Sequence, residues 1–470
     1  MMLKPTWLIS LLFIAGHIYA QSPKQRLQSA FERLQADSQC RYASVSLTVL
    51  DVKTGETVFR ANPYTGLATA STLKVITSST ALNILGKDFQ YETLVGYNGS
   101  VSADGTLTGD IIIKGGGDPT LGSWRYESSK ENHVLALMAN ALQKAGIKKI
   151  NGHIVGDDSI FGSQAIPDGW IWQDIGNYYG AGTSGLCWRE NQFDIKLSTG
   201  AVGSPAGIIS EVPAMPYLTF KSELVNAPEK TGDNAYIYFP VGGKLVYLRG
   251  TYAVDQTKKY ISAAVPDPAY DVAFRLSDTL KRLGISISGD PESTLTLTAK
   301  GSPIPQITNN LTSILSPRLS QIIFWLNRKS INLYAEQLLK TIAWKSGKQP
   351  TTANGVEVLK AFWKANGIDP NSLSITDGSG LSPEDRVTTL TMATVLQLAK
   401  KENWFADFYE SLPTYNDMKM KSGSILNVLT YAGYQTYKGR EYCFSIMVNN
   451  YNGSTKSIKE KMFRVLDELK

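Results

Sequence analysis

Strand-like runs stand at both ends of this chain, and each end also carries a helical run. Near the N-terminus, YASVSLTVLDVKTGETVFRAN (42–62) reads as strand, turn, strand, and the preceding SPKQRLQSAFERLQADSQ sets Leu27, Phe31 and Leu34 on one helical face. Near the C-terminus, SGSILNVLTYAGYQTYKGREYCFSIMVNNY (422–451) looks like strands joined by Gly-containing turns, and STKSIKEKMFRVLDELK (454–470) like a closing amphipathic helix. Strands bury their backbone groups only by pairing, so this predicts an α+β fold: one antiparallel sheet assembled from both ends of the chain, with helices on its faces. From roughly Gly96 to Ile307 the character changes to short β-like runs such as GDIIIKG, NGHIVGDDSIF and AYIYFPVGGKLVYLRGTY between Gly, Pro and Asp turns. That middle reads as a β-rich insertion of accessory domains (96–307) within a domain built from 21–95 and 308–470. A division is expected on size, since the roughly 450 residues after the leader exceed what one hydrophobic core organises.

Residues 1–20 have the form of a cleaved secretory signal: Lys4, an apolar run from Trp7 through Ile14, and Ala20 before a polar stretch. The run is shorter than the about 20 apolar residues a membrane span takes. Gln21 and Ser22 stand where a lipoprotein would have its cysteine. The reading is therefore an exported, periplasmic protein cleaved near Ala20, with no transmembrane anchor. Cys40, Cys187 and Cys443 are far apart, form neither a metal-ligand cluster nor a C-x-x-C pair, and are read as buried small apolar residues. The net charge of +6 is spread rather than clustered, which gives nucleic-acid binding no support. His133 and His153 are the only histidines beyond the leader, and neither has a G-x-S-x-G elbow or an H-E-x-x-H helix around it, so a His-based triad and a zinc peptidase are both disfavoured. Gly115-Gly116-Gly117-Asp118-Pro119 lacks the strand-to-helix setting of a phosphate loop and reads as a structural turn. No cofactor or metal is implied.

Ser71 is the only serine with a lysine three positions on, and Ser71-Thr72-Leu73-Lys74 opens a helical run, VITSSTALNIL. One helical turn puts the hydroxyl and the amine on one face, as a nucleophile and a candidate base. Lys74 can accept a proton only when neutral, a state favoured by burial and by a helix N-terminus. Ser330-Ile331-Asn332 is the only S-x-N and stands at the head of another helical run, where an N-cap serine is the commonplace reading. Lys followed by Ser or Thr and Gly occurs four times, at Lys53, Lys230, Lys345 and Lys421. Only Lys421-Ser422-Gly423-Ser424 leads into paired strand-like stretches, where an edge strand beside Ser71 would offer an ammonium, a hydroxyl and a backbone N–H.

In this order the three elements form the signature of penicillin-binding proteins and serine β-lactamases. With GGGDPTL (115–121), WIWQDIGNYYGAG (170–182), NLYAEQLLK (332–340), DGSGLS (377–382) and FSIMVNN (444–450), the chain resembles the D-alanyl-D-alanine carboxypeptidase/endopeptidase family, the class C low-molecular-mass penicillin-binding proteins of peptidase family S13, over essentially its whole mature length. The 259 residues from Ser71 to Ser330 suit that family, whose members carry inserted domains there. The resemblance implies a penicillin-binding-protein-like domain that acts on peptidoglycan stem peptides and is acylated by β-lactam antibiotics. Ser71 would attack the carbonyl between two D-alanines, Lys74 accept its proton, and Ser330 relay a proton to the leaving amine. Asn332 would hold the substrate amide, Lys421 and Ser422 its terminal carboxylate, and the N–H groups of Ser71 and Ser424 the oxyanion. In the insertion, Asp174 and Tyr179 match positions lining the pocket for the stem's free amine, and Asp174 also reads as an ordinary capping or turn residue.

Two departures stand out. Ile331 replaces the family's usual Asp, and Ser422 and Ser424 replace Thr. The Ile331 side chain is expected to point away from substrate and alter local packing, and the serines keep both hydroxyls. Two other readings share the fold: a non-catalytic protein that binds peptidoglycan or β-lactams, and a β-lactamase-like esterase. Whether terminal D-alanine is trimmed or a cross-link cleaved is open at the level of sequence.

Overall fold

The computed structural model describes residues 22–470; the leader read in the sequence lies outside the described residues. The two ends of the chain do combine into one six-stranded antiparallel sheet, in the spatial order Thr57–Ala61, Ser44–Asp51, Arg440–Asn449, Val428–Tyr437, Met418–Ile425, Thr414–Tyr415. Its registers explain the sequence patterns. In Ser44–Asp51, Val45, Leu47 and Val49 face a core shared with the terminal helices Pro23–Gln35 and Thr455–Leu466. The alternate residues Ser46 and Thr48 are also buried, and both hydroxyls meet Thr389 on the opposite face at 2.6 and 2.9 Å. A two-sided strand reads as a run of buried residues rather than a clean alternation. The turn after Met418–Ile425 holds no glycine, contrary to expectation: Leu426 and Asn427 make it, with Asn427 at φ 54°. Asparagine tolerates this conformation better than most residues, so it substitutes for glycine here.

The second face of the sheet is covered by helices Leu73–Leu85 and Thr389–Ala399, with Leu319–Lys329, Asn332–Lys345 and Thr352–Ala365 packed beyond them. Leu73–Leu85 is buried from Leu73 through Leu82 although it is rich in Ser and Thr. Three of its hydroxyls donate to carbonyls, Ser78 to that of Lys74 at 2.6 Å, Thr80 to that of Ile76 at 2.7 Å and Thr77 to that of Gly378 at 2.6 Å, while the buried Ser79 hydroxyl has no partner among the described residues. Those three bonds offset the cost of burying the hydroxyls that make them.

The middle of the chain contains the expected strands together with two long helices, Glu131–Lys144 and Pro268–Arg282, which the sequence reading missed. Each has apolar residues at helical spacing, Val134, Leu135, Met138 and Leu142 in the first and Val272, Leu276 and Leu280 in the second, and these form one core with the five-stranded and four-stranded sheets. Two three-stranded sheets enclose a further core around Phe193, Ile237, Leu248 and Tyr252. Glu92–Tyr97 and Asn309–Leu315 pair with each other inside the five-stranded sheet, so boundaries at 95/96 and 307/308 would cut through it. The GGGDP segment is a packed turn: a Cβ at Gly115 would fall 2.1 Å from the Gly185 carbonyl oxygen, and at Gly116 2.2 Å from that of Glu92. Cys40, Cys187 and Cys443 are all buried free thiols.

Candidate active site

Ser71 sits in a single 3-10 turn, Ala70–Thr72, that runs directly into Leu73–Leu85. The preceding Ala70 is held at φ 43°, a left-handed conformation that a Cβ-bearing residue adopts only when the surroundings enforce it. Lys74 lies one turn on, with no solvent exposure, and its Nζ is 3.0 Å from Ser71 Oγ, 2.6 Å from Asn332 Oδ1 and 2.7 Å from the Ser379 carbonyl oxygen. Burial lowers the Lys74 pKa to about 7, while the charges of Asp377, Glu336 and Asp385 pull it back up.

The second motif is a sharp link between two helices. Leu319–Lys329 ends at Ser330, whose φ of 57° turns the chain, and Asn332–Lys345 begins two residues later. Ser330 is therefore the C-cap of one helix rather than the N-cap of the next. Its Oγ accepts from Lys421 Nζ at 2.9 Å. The Asn332 amide is engaged at both ends, its Oδ1 with Lys74 and its Nδ2 donating to the Tyr179 carbonyl at 2.7 Å. Ile331 packs against the helical core as expected, yet it also lines the cleft over Ser71, so it is not turned wholly away from it.

Lys421 and Gly423 alternate onto the same side of Met418–Ile425. Lys419 and Met418 pair with the short outer strand Thr414–Tyr415 and Met420 N donates to the Pro413 carbonyl at 2.9 Å, which leaves the edge free from Lys421 onward. Gly423 is where the strand crosses the Ser71 turn: a Cβ there would lie 2.5 Å from the Thr69 carbonyl oxygen and 2.8 Å from Ser71 N. Glycine is thus required by close approach. Lys421 is 1% exposed, and burial together with the charge of Lys74 puts its pKa well below the ordinary lysine value. Ser424 lines the cleft; Ser422 does not, and its Oγ is 3.4 Å from Tyr415 Oη. Lys53, Lys230 and Lys345 all stand away from the cleft.

Behind Lys74 lies a buried acidic group that the sequence reading did not single out, although two of its members fall inside motifs quoted above. Asp377 accepts four N–H bonds, from Ser379 at 3.0 Å, Gly380 at 2.7 Å, Ser382 at 2.8 Å and the Trp170 indole at 2.8 Å. Both Glu336 oxygens lie 3.0 Å from Gly378 N. Burial and the neighbouring Asp377 charge raise the carboxyls of Glu336 and Asp385 well above the ordinary range. No pattern in the chain marks Asp385, because its role depends on a loop folding back over the Ser71 helix.

Ser71, Ser330, Asn332, Ser424, Asp174 and Tyr179 meet in one cleft of about 950 Å3. Burial raises the Asp174 carboxyl, with Tyr179 hydrogen bonding opposing the shift. The arrangement can deliver a hydroxyl to a carbonyl beside a lysine whose pKa lies near neutrality.

A family model described as "D-Ala-D-Ala carboxypeptidase 3 (S13) family" matches residues 27–469. The chain is 26% identical over 441 residues to a D-alanyl-D-alanine carboxypeptidase of Haemophilus influenzae, covering 89% of this chain and 88% of the relative. It is 25% identical over 455 residues to a D-alanyl-D-alanine carboxypeptidase of Actinomadura sp. (strain R39), covering 91% of this chain and 81% of the relative. In fold it is similar to the crystal structure of penicillin binding protein 4 from Haemophilus influenzae, with a TM-score of 0.78 at 24% identity, over 94% of this chain and 98% of that one.

Proposed function

The chain belongs to the D-Ala-D-Ala carboxypeptidase 3 (S13) family of serine peptidases, and from that premise we propose that Ser71 is the nucleophile of a D-Ala-D-Ala carboxypeptidase working on peptidoglycan stem peptides outside the cytoplasm. The observation that carries the reading is the Lys74 amine, buried, with a pKa of about 7, 3.0 Å from Ser71 Oγ. In its neutral form Lys74 donates to Asn332 and to the Ser379 carbonyl and keeps its lone pair for the Ser71 proton. Ser71 Oγ adds to the carbonyl between the two D-alanines, and the proton it loses passes to Lys74. The oxyanion forms beside the N–H groups of Ser71 and Ser424, where losing one donor costs about 10²- to 10³-fold in rate. The leaving amine takes a proton from Ser330, which recovers it from Lys74 and so leaves that amine neutral for the next step, while Lys421 Nζ holds the Ser330 hydroxyl in place at 2.9 Å. Water then adds to the acyl-enzyme and gives its proton to the again neutral Lys74, which returns it to Ser71 Oγ as the acyl group leaves.

Lys421, Ser422 and Ser424 take the substrate's terminal carboxylate, Ser422 by turning from Tyr415 toward the cleft. Asp174 and Tyr179 take the free amine of the stem. The same site accepts β-lactams as acylating analogues, and cross-links that end in D-alanine fit the chemistry equally well, making the protein an endopeptidase too. Export through a leader cleaved near Ala20 completes the reading; among the described residues no helix is long and apolar enough to cross a membrane. Strands Glu92–Tyr97 and Asn309–Leu315 favour setting the inserted region at 92–315. The test is D-alanine release from a stem pentapeptide and from a cross-linked dimer, by wild type and Ser71→Ala. Release by the wild type alone supports the reading, whereas release by both proteins, or by neither, contradicts it.

A further inference from the structure

At the end of the active-site cleft, where it meets a second groove of about 610 Å3, stands a side chain that the reaction above does not use: Arg125 lines both. Its guanidinium carbon is 5.3 Å from the ring centroids of Trp124 and of Trp325, so two indoles fix the plane of the group. Its Nε donates to Glu190 Oε1 at 2.8 Å, and the Glu190 side chain is fully buried. Glu190 does not need the arginine as its sole partner, because Ser123 and Tyr334 hydroxyls donate to the same oxygen at 2.6 and 2.8 Å. Its backbone is itself unusual: Arg189, Glu190 and Asn191 follow one another at φ 53°, 54° and 52°. Such a run persists only when its surroundings enforce it, and here it delivers a buried carboxylate to the arginine.

The bond to Glu190 uses one of five guanidinium donors. Among the described residues the two Nη groups have no protein hydrogen-bond partner, and neither is sealed from solvent. An arginine held by its Nε edge and beside two indole rings presents its Nη groups as a two-pronged fork, the geometry that binds a carboxylate through paired N–H bonds. Lys329, on the same cleft and with no carboxylate within ion-pair distance among the described residues, adds positive potential.

We propose that Arg125 is a carboxylate subsite of the cleft, taking a free carboxylate of the peptide substrate other than the one at its C-terminus, with Glu190 as the positioning residue. The subsite rests on the peptidase reading, in which the C-terminal carboxylate lies beside Ser71 and Lys421. Stem peptides with an internal acidic residue are then better substrates than their amidated counterparts.

The test is kcat/KM for two peptides ending in D-Ala-D-Ala that differ only in an internal free carboxylate or carboxamide, alongside the rate of acylation by benzylpenicillin. Wild type is expected to prefer the carboxylate peptide by about tenfold or more, the order of a charged hydrogen-bonded pair. Arg125→Gln removes the preference and leaves the carboxamide peptide and benzylpenicillin rates unchanged. Arg125→Lys, which keeps the charge but loses the fork, retains part of the preference and decides the matter should the glutamine variant not fold. Glu190→Gln weakens the preference without changing the benzylpenicillin rate. Equal rates for the two peptides with wild type, or a variant that loses both peptides equally, would overturn the subsite. Hydrolysis of neither peptide by wild type overturns the peptidase reading and the subsite with it.

Discussion

A lysine whose amine titrates near neutrality sets an acid limit on any reaction that needs it as a base. Burial is the dominant cause of the shift in Lys74, with Asp377, Glu336 and Asp385 opposing it, so the neutral form grows as pH rises through about 7. Acylation by benzylpenicillin should climb with pH through that value and level off above it, and Lys74→Arg, which stays charged, should lower the rate by about 10²- to 10⁴-fold at every pH. A stopped-flow pH profile checks both. The same shift has a stability consequence. Because the folded pKa is below the ordinary 10.5, the folded state binds fewer protons than the unfolded one between about 7 and 10.5, and the Lys74 contribution to stability rises with pH across that window. Asp385 acts in the opposite sense: its carboxyl is raised, so its contribution is present at low pH and is lost as pH climbs through the raised value. Asp385 holding the proton while Asp377 receives four N–H bonds makes the two residues unequal. Asp385→Asn should change stability by less than about 1 kcal/mol, whereas Asp377→Asn sets an NH2 against buried donors and should cost about 2–4 kcal/mol in denaturant unfolding. Serine and lysine one turn apart were legible in the sequence because a helix fixes their spacing; this proton arrangement was not, since Glu336, Asp377 and Asp385 meet Lys74 only through tertiary packing.

At the scale of elements, three short pieces converge on Ser71: the turn at Ala70–Thr72, the reversal at Ser330, and the edge of Met418–Ile425. Gly423 sets the clearance between strand and turn. Gly423→Ala would place a Cβ 2.8 Å from Ser71 N and force them apart, and a displacement of about 1 Å should cost on the order of 10²-fold in acylation rate with little loss of melting temperature. The main sheet was legible from its strand runs and the terminal helices from their periodicity. The helices Glu131–Lys144 and Pro268–Arg282 escaped notice because the strand-like runs around them dominated the reading, although their own spacing was adequate. The end of Leu319–Lys329 was obscured for another reason: a reversal at a non-glycine residue in left-handed conformation has no marker in sequence.

For the whole molecule, the middle of the chain and the region around Ser71 share buried polar contacts. Gln337 on Asn332–Lys345 accepts from Ser184 N at 3.2 Å and donates to the Gly117 and Ser184 carbonyls at 2.9 and 3.0 Å, Lys340 donates to the Gln164 carbonyl, and Trp170 reaches Asp377. Removing one partner strands the others in a dry interface. Gln337→Leu should destabilise the protein by about 2–3 kcal/mol and raise amide exchange first around Gly117 and Ser184, while a surface control leaves both unchanged. This coupling gives the GGGDP turn and the WIWQDIGNYYGAG segment a structural task that the sequence did not show: Gly117 and Trp170 tie the middle of the chain to Gln337 and Asp377, while Asp174 and Tyr179 of the same segment line the cleft. The central claim, that Ser71 is the acylated nucleophile, is tested most directly by the intact mass of the protein after incubation with benzylpenicillin, beside Ser71→Ala. The account predicts one penicilloyl adduct per wild-type chain and none on the variant. An equal adduct on both proteins, or an unmodified wild type, would contradict it.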